Sequence, residues 1–291
     1  MDYEQFMEIA FEEAKQSLKE GNKGFGCVIV SNNNIVARTH DTDNTDNDST
    51  AHAELKAIKE ASKYFGKDLS ECIIISTHEP CPMCSGAIIW SKISKVIYST
   101  SITESLSLGR NMVNISFRDI VNKASFANVE IIEGVLKEKC INLYKEEVRH
   151  LVKMYRCSNK NDWEISEKEL LNKRLDWVKQ NKEQIDNIKG DDLEKAYKLL
   201  CLKLEIDENE APVVDRTDKK ILFHSKNFCP SLEACKILDI DTREMCRLIY
   251  ERPTDQLIKS INPELRFSRN YECLRPYTDY CEEFIEYINK K

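Results

Sequence analysis

An α/β fold is what this sequence predicts: a three-layer domain with a five-stranded sheet over residues 1–157, a helical connector over 158–211 and a small α+β unit over 212–291. Three observations carry the prediction. Short apolar runs alternate with stretches of helical periodicity through the first half of the chain. A histidine and a C-x-x-C pair each stand at the start of one of those helical stretches. Past Ser158 the sequence turns charge-rich and shows no strand-like run until Val213-Val214.

Taken in order, Phe6, Ile9, Ala10 and Leu18 recur at helical spacing and predict an amphipathic first helix over 3–19. Gly24-Phe25-Gly26 leads into Cys27-Val28-Ile29-Val30, a turn at Ser31–Asn34 and Ile35-Val36-Ala37, which reads as a hairpin. The loop that follows carries Asp41, Asp43, Asp46 and Asp48, and Thr50 stands where a helix N-cap belongs. Leu55, Ile58, Ala61 and Phe65 continue that helix until Gly66 stops it. Cys72–Thr77 is an unbroken apolar run, typical of a strand buried on both faces. Pro82 suits the first position of the next helix. Lys95–Tyr98 and Asn128–Ile132 are the last two strands, residues 101–127 wall a pocket between them, and Val135–Met154 is a closing helix.

His52, Cys81 and Cys84 offer one imidazole and two thiols. That set suits a zinc ion, Zn2+, whose fourth position stays open for water. Glu54 lies two residues beyond the histidine, close enough to face the open position without binding the metal. The spacing puts His52 and Glu54 in the first turn of one helix, and Cys81 and Cys84 at the positive end of another, which favours thiolate. The plain alternative is a redox C-x-x-C pair with an unrelated histidine. A redox pair has no need of His-x-Glu on a separate helix, nor of the Pro80-Cys81 step.

The H-x-E…P-C-x-x-C pattern resembles the signature of zinc deaminases. Glu79-Pro80-Cys81-Pro82-Met83-Cys84 and the residues on to Trp90 resemble the purine-acting branch of the cytidine deaminase superfamily, above all bacterial guanine deaminases and tRNA wobble-adenosine deaminases. The resemblance covers about the first 150 residues. It implies a cytidine-deaminase-like fold and a homodimer, with Glu54 as catalytic proton shuttle and zinc on His52, Cys81 and Cys84. It also implies substrate contacts. Backbone N–H groups near Ala53 and Cys81 would orient the ring. Phe25 would lie against the base, unless it is a core residue at a strand start. Trp90 matches a guanine-deaminase tryptophan, the alternative being a core role. Asp41 stands where relatives have a substrate-binding asparagine, and aspartate only accepts hydrogen bonds. Guanine deaminases carry an aspartate shortly after the glycine here numbered Gly109, but Asn111-Met112 supplies none. Glu104 stands in for it, or simply starts a helix.

Composition narrows the partners. The chain has 291 residues, 43 basic against 50 acidic, and a net charge of −7; residues 1–150 alone hold 17 basic and 22 acidic groups. A polyanion-binding surface shows the opposite bias, which argues against nucleic acid and for a small-molecule substrate. No run of 18 apolar residues is present, and the acidic N-terminus does not suit a signal peptide, so no membrane association is expected. Twelve cysteines without an export signal point to a reducing, cytoplasmic setting. Cys229, Cys235, Cys246, Cys273 and Cys281 match no standard pair of metal knuckles and read as buried thiols in place of a second metal site. The expected activity is hydrolytic deamination of an amino-purine-type nucleobase or nucleoside. The alternatives are a tRNA wobble-adenosine or pyrimidine nucleoside deaminase and, from another class, a non-catalytic zinc-stabilised interaction module.

Overall fold

Helix α1 (Tyr3–Glu20) begins at Asp2, whose side chain accepts from the Gln5 N–H, and ends at Gly21 in the left-handed region. The structure, a computed structural model, describes residues 2–288 and divides into two units, Met1–Arg156 and Cys157–Lys291.

In the first unit α1 buries Phe6, Met7, Ala10, Phe11 and Ala14 against a hairpin of β1 (Gly26–Ser31) and β2 (Asn34–His40). Asn32 and Asn33 both take positive φ, which suits the two-residue turn of a tightly twisted hairpin. Helix α1 presses close on Gly26. A Cβ there would lie 2.0 Å from the Ala10 carbonyl oxygen and 2.5 Å from the Ala14 nitrogen. Helix α2 (Ala53–Phe65) follows, then β3 (Cys72–His78), α3 (Pro82–Trp90), β4 (Lys95–Thr100), α4 (Ile102–Ser107), α5 (Phe117–Lys123) and β5 (Glu130–Glu133). The sheet order is β2-β1-β3-β4-β5, with β1 antiparallel to both neighbours and β3, β4 and β5 parallel. This is the expected five-stranded α/β sheet, and β3, almost wholly buried, runs through its middle.

Two local expectations are corrected. Thr50 does not cap α2: its hydroxyl donates to Asp48 Oδ1 at 2.7 Å, and His52 holds the cap position without a side-chain cap bond. His52 therefore stands just before the helix and Glu54 within its first turn. The closing helix is also broken. It runs as α6 (Lys137–Cys140), a 3-10 turn to Tyr144, and α7 (Glu146–Cys157), with Lys145 extended between them. Tyr144 is fully buried and its hydroxyl donates to Thr77 Oγ1 at 2.8 Å, a tertiary contact that outweighs helical continuity at that turn.

The second unit contains α8 (Lys160–Gln180), α9 (Lys182–Asp186) and α10 (Asp192–Leu204). After these come β6 (Val213–Arg216), β7 (Lys220–Ser225), α11 (Pro230–Leu238), α12 (Thr242–Met245), a π-helical turn to Tyr250, α13 (Glu251–Lys259), β8 (Leu265–Arg269) and β9 (Cys281–Tyr287). The four strands form a sheet of order β6-β7-β9-β8. Strands β8 and β9 went unnamed in the sequence reading. Tyr197 and Leu200 of α10 share one core with Phe223, Leu257, Phe267 and Ile285, so α10 packs with this sheet. All twelve cysteines are free thiols, and among the described residues only His52, Cys81 and Cys84 gather into a metal-binding group.

Candidate active site

The candidate metal ligands come from two helix starts aimed at each other. Cys81 is the N-cap of α3, with Pro82 at the first helical position, and Cys84 follows in the first turn. His52 caps α2. His52 Nδ1 lies 3.6 Å from Cys81 Sγ and 3.6 Å from Cys84 Sγ. In a tetrahedral set with Zn–S near ~2.3 Å and Zn–N near ~2.0 Å, nitrogen and sulfur sit about 3.6 Å apart. The three side chains thus have the spacing that a zinc ion asks for. Their charges point the same way. The hydrogen bond from Cys84, with help from His52, pulls the Cys81 thiol down to about 4, while Cys84 is pushed well up by Cys81, burial and Glu54. Without a cation the two sulfurs compete for one proton; a divalent cation would relieve both.

Glu54 is buried in the first turn of α2. Its Oε1 accepts from Ser76 Oγ at 2.9 Å, and its Oε2 lies 3.4 Å from Cys84 Sγ. Burial and the neighbouring Cys81 raise its pKa, against His52 and the Ser76 hydrogen bond. The arrangement is a buried carboxylate beside the metal ligands with one oxygen anchored to β3.

Positioning residues to which the sequence alone assigned no role surround this core. Glu79 is buried just before the Pro80-Cys81 step; it accepts from the Ile102 N–H and the Phe117 N–H, each at 2.8 Å, tying the starts of α4 and α5 to the cysteine loop. His78 places Nδ1 2.7 Å from the Glu79 carbonyl oxygen and Nε2 2.7 Å from Ser105 Oγ. The carbonyl only accepts, so Nδ1 carries the proton, and burial holds the ring neutral with a pKa down to about 4. The signal available in the sequence was position: His78 ends the buried strand that delivers Cys81, and Glu79 follows it directly.

The proposed substrate contacts divide. Ala53 is the first residue of α2, so its N–H lies outside the helical ladder, while its carbonyl accepts from Thr39 Oγ1 at 2.7 Å. Asp41 is fully buried, and its Oδ1 accepts from the Lys23 N–H at 3.2 Å. Burial and a hydrogen bond with Asp43 push its pKa up to about 6. Phe25 packs against His78 and Tyr144, with the Arg110 guanidinium 5.0 Å from its ring centre. That face of Phe25 carries an arginine. Glu104 accepts from the Ser101 N–H and hydroxyl at 2.9 Å and pairs with Lys137, so it is the capping acid of α4. Trp90 is 76% exposed and stacks on Phe126. It ends α3, about 13 Å along the helix from Cys81 at ~1.5 Å per residue, and does not join the group.

Residues 1–100 match the family model described as the cytidine and deoxycytidylate deaminase zinc-binding region. Over 159 residues the chain is 33% identical to a tRNA-specific adenosine deaminase of Bacillus subtilis, covering 54% of this chain and 96% of that one. The chain belongs to the cytidine and deoxycytidylate deaminase family. It is thus a zinc-dependent hydrolytic deaminase with the family's α/β fold. It is also 40% identical over 111 residues to the guanine deaminase of B. subtilis, covering 38% of this chain and 71% of that one. A solved guanine deaminase from the same organism is 38% identical, with a TM-score of 0.36, over 38% of this chain and 71% of that one. No helix of this deaminase is long and apolar enough to cross a membrane, among the described residues.

Proposed function

We propose that this deaminase hydrolyses the exocyclic C–N bond of an amino-purine-type nucleobase or nucleoside and releases ammonia. One observation carries the reading: a buried carboxylate, Glu54, anchored by Ser76 and 3.4 Å from a sulfur of the metal-binding group. A structural zinc site has no use for such a carboxylate, which disfavours a non-catalytic module.

His52, Cys81 and Cys84 would hold the metal. A zinc ion held there supplies Lewis-acid activation of water. Glu54 takes the proton released as water oxygen bonds to the amidine carbon, and delivers it to the adjacent ring nitrogen. It then carries the second water proton to the amino group, so that the C–N bond breaks and ammonia leaves. Burial, which raises the affinity of Glu54 for a proton, suits both uptake and delivery. Asp41 and the backbone at Ala53 and Cys81 orient the ring. The purine preference draws on the adenosine and guanine deaminases among the relatives. The acidic balance of the first 150 residues disfavours a tRNA substrate. Ammonia release from adenine, guanine, cytosine and their nucleosides, with Glu54→Gln as control, tests the proposal. Turnover of none by folded, zinc-loaded protein would refute it.

Three further points belong to this reading. The deaminase domain spans residues 1–157, with a connector over 158–211 and a separate role for 212–291. The protein is cytoplasmic, in keeping with twelve free thiols. It works as a homodimer through the exposed face of α3. Met83 and Trp90 are exposed seven residues apart, and a Cβ at Gly86 between them would meet nothing within 4 Å.

A further inference from the structure

Strand β3 reaches Cys81 through a short turn, Glu79-Pro80, and the polar atoms of that turn are held one by one. The Glu79 N–H donates to the Thr100 carbonyl at 2.8 Å. The Glu79 carboxylate accepts from the Ile102 and Phe117 N–H groups, each at 2.8 Å. Pro80 has no N–H, its ring fixes φ, and its carbonyl accepts from Ser85 Oγ at 3.0 Å. That leaves the Glu79 carbonyl, whose partner is a side chain: it accepts from His78 Nδ1–H at 2.7 Å. The imidazole is fixed in turn. Its Nε2 accepts from the Ser105 hydroxyl at 2.7 Å. The ring also makes T-shaped contacts with Phe25 and Tyr144, at centroid distances of 5.1 and 5.3 Å.

Holding a carbonyl sets the rotation of its whole peptide plane, and here that plane joins Glu79 to Pro80. A plane free to turn would swing Pro80 and the sulfur that follows it. Cys81 Sγ has to stay near its 3.6 Å from His52 Nδ1 for the two to share a metal. We propose that His78 is a positioning residue for the metal site: it relays the placement of α4, through Ser105, to the Glu79 carbonyl, and so sets where Cys81 presents its sulfur. His78 is 2% exposed and Ser105 fully buried, so water does not replace either bond once it is lost. A phenylalanine at this position would keep the packing on Phe25 and Tyr144 but lose both hydrogen bonds, which separates the two roles. Groups that orient a metal ligand from behind carry about 10- to 100-fold in metal affinity. The inference rests on the zinc site of the deaminase reading and not on its substrate.

The test uses the full chain, stripped of metal and loaded with cobalt(II), whose visible spectrum reports the geometry of its sulfur ligands. Competition against a chelating dye gives the zinc affinity. Asparagine places its amide nitrogen close to where Nδ1 stands, and glutamine reaches only the position of Nε2. His78→Asn should therefore keep the parent spectrum and nearly the parent affinity. His78→Gln and His78→Phe should each weaken zinc by about 10-fold or more and shift the thiolate-to-cobalt bands. Ser105→Ala should move the bands the same way by less, because the ring keeps its bond to Glu79 and loses its anchor. Melting temperatures of the metal-free proteins are measured alongside. The contrast between His78→Asn and His78→Gln decides the matter even if His78→Phe does not fold. Parent-like spectra and affinities in His78→Gln and His78→Phe would overturn the proposal. So would equal losses in all the His78 variants that track the metal-free melting temperature, which would make His78 a packing residue. A parent chain that takes up no cobalt would overturn the zinc site itself, and this proposal with it.

Discussion

The Ser76 hydroxyl donates to Glu54 Oε1 at 2.9 Å, joining the central strand β3 to the first turn of the helix that His52 precedes. Ser76 sits opposite Cys27 in the β1–β3 register, so the sheet itself fixes where the carboxylate stands. The bond favours the ionised form of Glu54. Ser76→Ala therefore raises the carboxyl pKa, and the acidic limb of the kcat/KM profile moves to higher pH. We expect zinc content to stay at one per chain and kcat to fall by about an order of magnitude. An unmoved acidic limb would separate Ser76 from the chemistry.

Glu54→Gln keeps the three candidate metal ligands and removes the proposed proton carrier. Zinc content and melting temperature should stay near the parent values while turnover drops by about 100-fold or more. A variant retaining a tenth of the parent rate would remove Glu54 from the mechanism.

Cys84→Ala deletes a buried ligand whose sulfur lies 3.6 Å from His52 Nδ1. Metal and stability should go together, because ligation is coupled to folding. Chelator treatment of the parent protein should lower its melting temperature, and the same treatment should do little to Cys84→Ala. A variant that still binds one zinc tightly would show that the site is placed wrongly.

His40 gives a pH test away from the metal. Nδ1 lies 2.6 Å from Glu13 and Nε2 3.0 Å from Glu20, and carboxylates only accept, so both nitrogens carry protons. The Glu13 hydrogen bond, then Glu20, raise its pKa above the ordinary value of 6.5, against burial. A raised histidine stabilises the fold fully below its unfolded value and loses that contribution as pH rises through the folded one. The melting-temperature gap between parent and His40→Gln should therefore be widest near about pH 6 and close at alkaline pH. A gap independent of pH would mean that the ring acts only by packing.

The exposed Trp90–Phe126 pair, with centroids 5.2 Å apart, tests the homodimer. Trp90→Glu should shift the sedimentation of the chain from dimer to monomer without loss of zinc. A parent protein that sediments as a monomer would end the proposal.

The sequence by itself determined which residues gather at the candidate site. His52, Glu54, Cys81 and Cys84 were legible because their spacing is set by helix starts, and a helix start is a local matter of prolines, caps and periodicity. The central strand was legible for the same reason, since Cys72–Thr77 is apolar without a break. Tertiary structure decided everything that depends on atoms distant in the chain. Whether Thr50 or His52 capped α2 turned on which partner the threonine hydroxyl found, and it found Asp48. Trp90 shared a segment with Cys81 and Cys84, yet the rise of the helix carried it to the far end. Glu104 spent its oxygens on Ser101 and Lys137, and Phe25 gave a face to an arginine that lies 85 positions away. Arg110 itself carried no local pattern, because nothing in its neighbours says that Lys23 will hold it beside Asp41. Local spacing fixes which side chains leave a helix together; only packing fixes which of their atoms are left without a partner.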